Sequence, residues 1–211
     1  MDLSKVDFKS LFKEKEYSYF TEGDYNLNII GIRNLSDGVI QKDKFNDFLV
    51  CTYKINNKWI TKIWPITTDP GLRMLEKPIN SLGTAILVPG QYLGAYQLGL
   101  HKGQYQALVQ KKPVKVYRDK NKNNRLDFDS PIQEGIFGIN IHGSLNANKS
   151  TTMNPEKVSD TWKSEAVGPW SAGCQVFKCA KDYSEFMSLV RKSKDRYGNS
   201  FTYTLLTTED L

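Results

Sequence analysis

Apolar and polar residues alternate through the middle of the chain, and the period is that of strands. "YNLNIIGIR", residues 25–33, is rich in β-branched side chains and reads as a strand. "DFLVCTYKINNKWITKIWPIT", residues 47–67, predicts two strands joined at Asn56-Asn57, because Asn tolerates the left-handed backbone of a tight hairpin turn. "TAILV", "QYLGAYQL", "YQALVQ", "VKVYR" and "GIFGINIHG" add further short strands, separated by Gly, Pro and Asn at the spacing of sandwiches and barrels. Helical periodicity enters at two places. Leu3, Val6, Leu11 and Phe12 can share one face of a short N-terminal helix. Tyr183, Phe186, Met187 and Val190 recur at i, i+3, i+4 and i+7, with Asp182 near the start and Gly198 as a stop. "SFTYTLLT" then closes the chain as a strand.

These elements predict a mostly β fold, a mixed sheet or sandwich with an N-terminal and a C-terminal helix. Residues 1–24 form a helical extension and 25–211 a single domain, a size that buries a real core without staples. The Ser-, Thr-, Asn- and Lys-bearing segment 144–169 reads as a long surface loop.

Composition narrows the class. With 39% hydrophobic and 25% charged residues the balance is that of a folded globular protein. A net charge of +6 attracts polyanions such as nucleic acid or anionic wall polymers. The basic residues are nevertheless dispersed and no helix-turn-helix, finger or RNP pattern occurs, so no nucleic-acid partner is expected. Cys51, Cys174 and Cys179 are odd in number, and the single C-x4-C pair has no second pair, which predicts neither a disulfide framework nor a zinc site. Cys51 and Cys179 read as packing residues. The first twenty residues carry charges throughout and lack the apolar run of a secretory signal, so no Sec signal and no membrane insertion are expected.

Candidate chemistry centres on "WSAGCQVF", residues 170–177. A thiol is a nucleophile as its thiolate, and an imidazole can take its proton and return it to a leaving amine. His142, at the end of the "GINIHG" strand, is the candidate base for Cys174. Gly173 allows close backbone approach, and the N–H groups of Gly173 and Cys174 are candidate oxyanion donors. His101, in "LHKGQY", reads as a surface residue, and Trp162 and Trp170 as anchors that pin their loop.

"INIHG" followed by "SAGCQV" resembles the signature of the L,D-transpeptidase (YkuD-type) catalytic domain, in which a histidine at a strand end precedes an S/T-H-G-C segment. "TTDPG" and "LVPGQY" are similar to paired upstream segments of that family, so the resemblance spans about residues 50–180. It implies an L,D-transpeptidase-like fold, Cys174 as nucleophile and His142 as base. Gly143 or Ser171 would supply the oxygen that orients the imidazole. The implied activity is transpeptidation, D-amino-acid exchange or L,D-carboxypeptidase action on peptidoglycan stem peptides through a cysteine thioester, with no cofactor and a monomeric enzyme. The alternative is a non-catalytic wall-binding or structural module of the same fold. Two positions depart from the pattern: Ala172 stands where the family has its second histidine, and the interval between His142 and Cys174 is longer than usual. Without a Sec signal, a protein made in the cytoplasm reaches the cell wall if a phage, a contact-dependent secretion system or a removed signal delivers it.

"DKNKNNRLDFD" sets Asp119, Asn121, Asn123 and Asp127 at positions 1, 3, 5 and 9 of a calcium-loop pattern. Position 6 is Asn124 instead of Gly and position 12 is Ser130 instead of Glu, so the sequence favours an Asx-rich turn without an ion.

Overall fold

The computed structural model describes residues 2–35 and 43–211. Eleven strands and four α-helices are formed among them. Eight strands close a barrel: β1 (Asn28–Arg33), β2 (Asp47–Ile55), β3 (Lys58–Thr67), β5 (Gly90–His101), β6 (Tyr105–Gln110), β9 (Ile141–Gly143), β10 (Gln175–Phe177) and β11 (Phe201–Thr207). Their order is β1-β11-β5-β6-β9-β10-β3-β2. β4 (Thr84–Leu87), β7 (Val114–Asp119) and β8 (Gln133–Gly135) form a separate three-stranded sheet. The fold is mostly β with mixed strand directions, and its main layer is a closed barrel, where the sequence suggested a mixed sheet or sandwich. Closure leaves the main sheet no free edge.

Local sequence explains the hairpins. Asn56 and Asn57 have φ of 50° and 60°, the left-handed pair a two-residue turn requires, and they join β2 to β3 with Ile55 opposite Lys58. Lys102 and Gly103 repeat the device at φ 49° and 71°, which sets His101 opposite Tyr105 in the β5–β6 hairpin.

β1 is buried along its whole length, and the reason lies at the N-terminus. Ile29, with Leu49, Cys51, Tyr203 and Leu205, belongs to the main core; Ile30 and Ile32, with Val50 and Leu206, belong to a second cluster completed by Leu3, Phe8 and Phe12. Alternate side chains of one strand thus enter two cores. The expected single N-terminal helix is a short 3-10 turn, Leu3–Lys5, followed by α1 (Phe8–Glu14). Asp2 caps the first and Asp7 the second, each accepting a backbone N–H with its carboxylate. The segment is therefore a lid over β1, β2 and β11; of the predicted face Leu3 and Phe12 are buried, Phe8 joins them, and Val6 and Leu11 are only partly buried.

α4 (Ala180–Tyr197) follows the predicted helical period and buries Tyr183, Phe186, Met187 and Val190 in the main core. Its Phe186 stacks on Phe177 of β10 with ring centroids 5.1 Å apart, which ties the helix to the strand that follows Cys174. α2 (Leu72–Glu76) and α3 (Ala147–Ser150) are single turns. Segment 144–169 is less of a surface loop than its composition suggests: α3, a 3-10 turn at Pro155–Lys157 and the buried Val158 and Val167 anchor it. "GIFGINIHG" is also not one strand. β8 ends at Gly135, Gly138 takes φ 73°, and pairing resumes at Ile141.

Candidate active site

β9 and β10 run parallel, with Gln175 opposite Ile141, Val176 opposite His142 and Phe177 opposite Gly143. Cys174 precedes β10 by one position, so its place is beside Asn140, one residue pair beyond the register that ends at Gln175–Ile141. Two hydrogen bonds fix the sulfur there. The Asn140 N–H donates to Cys174 Sγ at 3.4 Å, and Sγ donates to the Gly138 carbonyl at 3.4 Å. The left-handed kink at Gly138 that interrupts "GIFGINIHG" is what turns that carbonyl toward the thiol.

The SAG segment ahead of the thiol is held by its own polar groups. Ser171 is fully buried; its Oγ donates to the Cys174 carbonyl at 2.8 Å and accepts the Gly173 N–H at 3.2 Å. Ser171 thus shapes the turn that carries the nucleophile and does not touch the imidazole. Gly173 has φ 114°, and a Cβ there would collide with the Ala85 carbonyl, so this position requires glycine. Its N–H is taken by Ser171, so of the two candidate oxyanion donors only the Cys174 N–H remains. Gln175 completes the support, donating from Nε2 to the Gly173 carbonyl at 3.3 Å and accepting Tyr203 Oη–H at 2.8 Å.

His142 is buried on β9. Its Nδ1 lies 2.9 Å from the Gly143 carbonyl, and Tyr105 Oη lies 3.2 Å from the same nitrogen while donating to the same carbonyl at 3.2 Å. A carbonyl can only accept, so Nδ1 carries the proton and Nε2 is the bare base. Nε2 is buried and has no hydrogen-bond partner among the described residues. Gly143 earns its place twice: besides offering this carbonyl, it leaves room for Tyr183, whose Cδ1 would lie 2.6 Å from an added Cβ.

His101 is not on the surface. It is 7% exposed, and its ring stacks on that of His142 with centroids 4.1 Å apart and planes 25° from parallel. Asn140 Nδ2 donates to His101 Nδ1 at 3.1 Å, so one asparagine contacts the thiol through its backbone and the second histidine through its side chain. His101, Tyr105 and Asn140 were missed as site residues. The signal for the first two lay in the Lys102-Gly103 turn: a hairpin there makes His101 and Tyr105 cross-strand partners rather than loop residues.

The electrostatics describe a neutral resting site. Burial, and then the neighbouring His101, hold the His142 imidazole down to about 3. Burial, and then Lys102, hold His101 down to about 4. Burial pushes the Cys174 thiol above its ordinary value, against the Asn140 N–H and Lys102, which lower it. At neutral pH the pair therefore rests as thiol and imidazole.

A cavity of about 310 Å³ opens beside the turn, lined by Ala172, Ala85, Thr84, Ile136, Phe137 and Arg118. Arg118 packs its guanidinium over the Phe137 ring at 4.8 Å and donates to Gln133 Oε1 and the Gly83 carbonyl. Ala172, where the family pattern has histidine, contributes a small wall to this cavity. Trp162 and Trp170 do not line it; Trp170 is 38% exposed, and Trp162 fixes the loop by accepting the Ala180 N–H at 2.8 Å through its carbonyl. No family model, curated protein or solved structure matches the chain.

Proposed function

We propose that the chain is a cysteine acyltransferase of the L,D-transpeptidase type, acting on peptidoglycan stem peptides. The observation that carries this reading is the buried, unpartnered Nε2 of His142, two residue pairs along parallel strands from Cys174 and its thiol. A buried polar atom without a partner costs about 1–3 kcal/mol, a cost that a base awaiting a proton accounts for. Cys174 Sγ attacks the carbonyl that joins the third stem residue to the terminal D-amino acid, and its proton passes to His142 Nε2. The tetrahedral oxyanion is met by the Cys174 N–H. On collapse the C–N bond breaks, His142 returns the proton to the departing amine, and a thioester remains on Cys174. An amine acceptor then gives a cross-link or an exchanged D-amino acid; water gives carboxypeptidase action.

His101 serves as a positioning residue, with its ring stacked on His142 in a site where the segment before the thiol offers only Ala172. Tyr105 and Gly143 hold the tautomer. The cavity beside Ala172 has the place and the single cation, Arg118, to receive a peptide with a free carboxylate.

A second reading, a wall-binding module without catalysis, draws on the thiol's donation to Gly138 and on Ala172. Intact mass after incubation with a carbapenem distinguishes the two. Acylation of Cys174, absent from Cys174→Ala, is the expected result for the enzyme; an unmodified wild-type chain favours the binding module.

A further inference from the structure

Asp119 ends β7 fully buried, and its carboxylate is only half used. Oδ2 accepts the Asp127 N–H at 3.1 Å, which turns the group toward the 119–129 loop, while Oδ1 is buried with no hydrogen-bond partner among the described residues. Burial raises the pKa of this carboxyl, as expected for an anion without a counter-charge. A buried oxygen without a protein partner calls for one, and an ion is a candidate here.

The loop around it supplies a ligand set. Asn121, Asn123 and Asp127 each curl one side-chain oxygen back onto the N–H two residues on, at 3.1, 2.9 and 3.0 Å, which leaves their remaining lone pairs available. A cavity of about 270 Å³ is lined by Asn121, Asn123, Arg125, Asp127 and Asp129 with Leu126 and Phe128; Asp119 is not in its wall but meets it through the Asp127 N–H. Among the described residues no group of three or more His, Cys, Asp or Glu stands as a metal site, but a calcium loop also draws on amide and backbone oxygens. The two sequence departures from that pattern acquire a physical reading. Asn124, at the position where glycine makes the sharp turn, has φ 60°, the conformation glycine would supply. Ser130 is occupied, accepting the Arg118 N–H at 2.7 Å, which leaves Asp129 as the carboxylate at that end.

We propose that the 119–129 loop is a calcium site: Asp119 Oδ1, side-chain oxygens of Asn121, Asn123 and Asp127 or Asp129, and the Arg125 carbonyl surround one Ca²⁺. Oxygen-only donors of mixed charge suit a hard cation, and the absence of a bidentate Glu places affinity in the weak range, with Kd roughly 10⁻⁴ to 10⁻³ M. The ion would pin the connection between β7 and β8 (Gln133–Gly135), the sheet that carries Arg118. The site is independent of the chemistry at Cys174.

The test is thermal unfolding of the full chain after chelation, with and without about 10 mM CaCl2, and calorimetric titration with CaCl2. At that excess over Kd the expected rise in Tm is about 3–5 °C. Magnesium at the same concentration should give less than half of it, because Mg²⁺ demands a tighter octahedron than an amide-rich loop offers. Asp119→Asn should abolish the rise, and the exposed Asn123→Ala, which is expected to fold normally, should weaken calcium binding about tenfold. No calcium-dependent rise in the wild type, an equal rise with magnesium, or an undiminished rise in both variants would overturn the assignment.

Discussion

Two buried polar clusters occupy the barrel, and they are built in opposite ways. Around Arg33, which is 1% exposed, every guanidinium nitrogen has a partner: Nε donates to Asp69 at 2.9 Å and Thr68 Oγ1 at 3.1 Å, Nη1 to the Leu87 carbonyl and Nη2 to the Thr68 carbonyl. Asp47 beside it accepts the Asn34 and Thr68 N–H groups and the Thr68 hydroxyl. At Cys174 and His142 the hydrogen bonds leave one buried atom over: Nδ1 is bound, and Nε2 has no partner among the described residues. A buried polar cluster whose groups are paired holds the fold in one arrangement, whereas a buried group left without a partner costs stability. Asp119 Oδ1 belongs to the second class.

If the comparison holds, substitutions should separate activity from stability. The largest effect is expected at His142. His142→Ala should lower D-amino-acid release by about 10²- to 10⁴-fold, the usual contribution of a positioned base, and a trace should return at alkaline pH where the free thiol ionises unaided. An alkaline profile unchanged from wild type would make the histidine structural. Arg33→Ala is the counterpart. It leaves Asp47 and Asp69 uncompensated and should cost about 3–5 kcal/mol, a fall in Tm of roughly 10 °C by calorimetry, well beyond the fall in His142→Ala.

Titration sharpens the contrast because the two clusters have opposite slopes. His142 is held down to about 3, below its ordinary 6.5, so the unfolded chain binds more protons in between. Its contribution is fully present above pH 6.5 and is lost as pH falls toward 3. Burial, and then the neighbouring Asp69, push Asp47 up to about 7, so its contribution is present below pH 3.8 and is lost as pH rises through 7. Denaturant unfolding between pH 4 and 6.5 should accordingly show a shallower rise with pH in His142→Phe than in wild type, and a steeper one in Asp47→Asn. Equal slopes in all three chains would dissolve the distinction. The smallest effect is expected at His101. His101→Ala should lower the rate about tenfold and shift the pH profile while moving Tm little; a changed Tm with an unmoved profile would mean packing alone.

Much of this was legible in the chain. Strand periodicity located the hairpins, and the spacing of Tyr183, Phe186, Met187 and Val190 located α4, because both patterns report which side chains must leave water. Closure into a barrel was not legible, since the β1–β11 and β9–β10 pairings join segments far apart in sequence. Nor was the N-terminal lid, although the unbroken apolar run of β1 was its trace: a strand apolar on both faces needs a cover on each. At the site, Cys174 and His142 stood out by residue type. His101 did not, because a histidine beside Lys102 and Gly103 resembles loop composition until the turn is recognised as a hairpin. Of the two oxygens offered for the imidazole, Gly143 or Ser171, the Gly143 carbonyl lies against Nδ1 while Ser171 bonds the Cys174 carbonyl, because residue type names a hydrogen-bonding group without naming its target.

The central claim is that the thiol of Cys174 forms an acyl-enzyme with a stem peptide. Mass spectrometry of purified tetrapeptide stems incubated with wild type and with Cys174→Ala tests it most directly. The account predicts release or exchange of the terminal D-amino acid by wild type, and none by Cys174→Ala, whose Tm should differ by no more than about 2 °C because little volume is lost. Undiminished turnover in Cys174→Ala, or none in wild type on any stem, would contradict it.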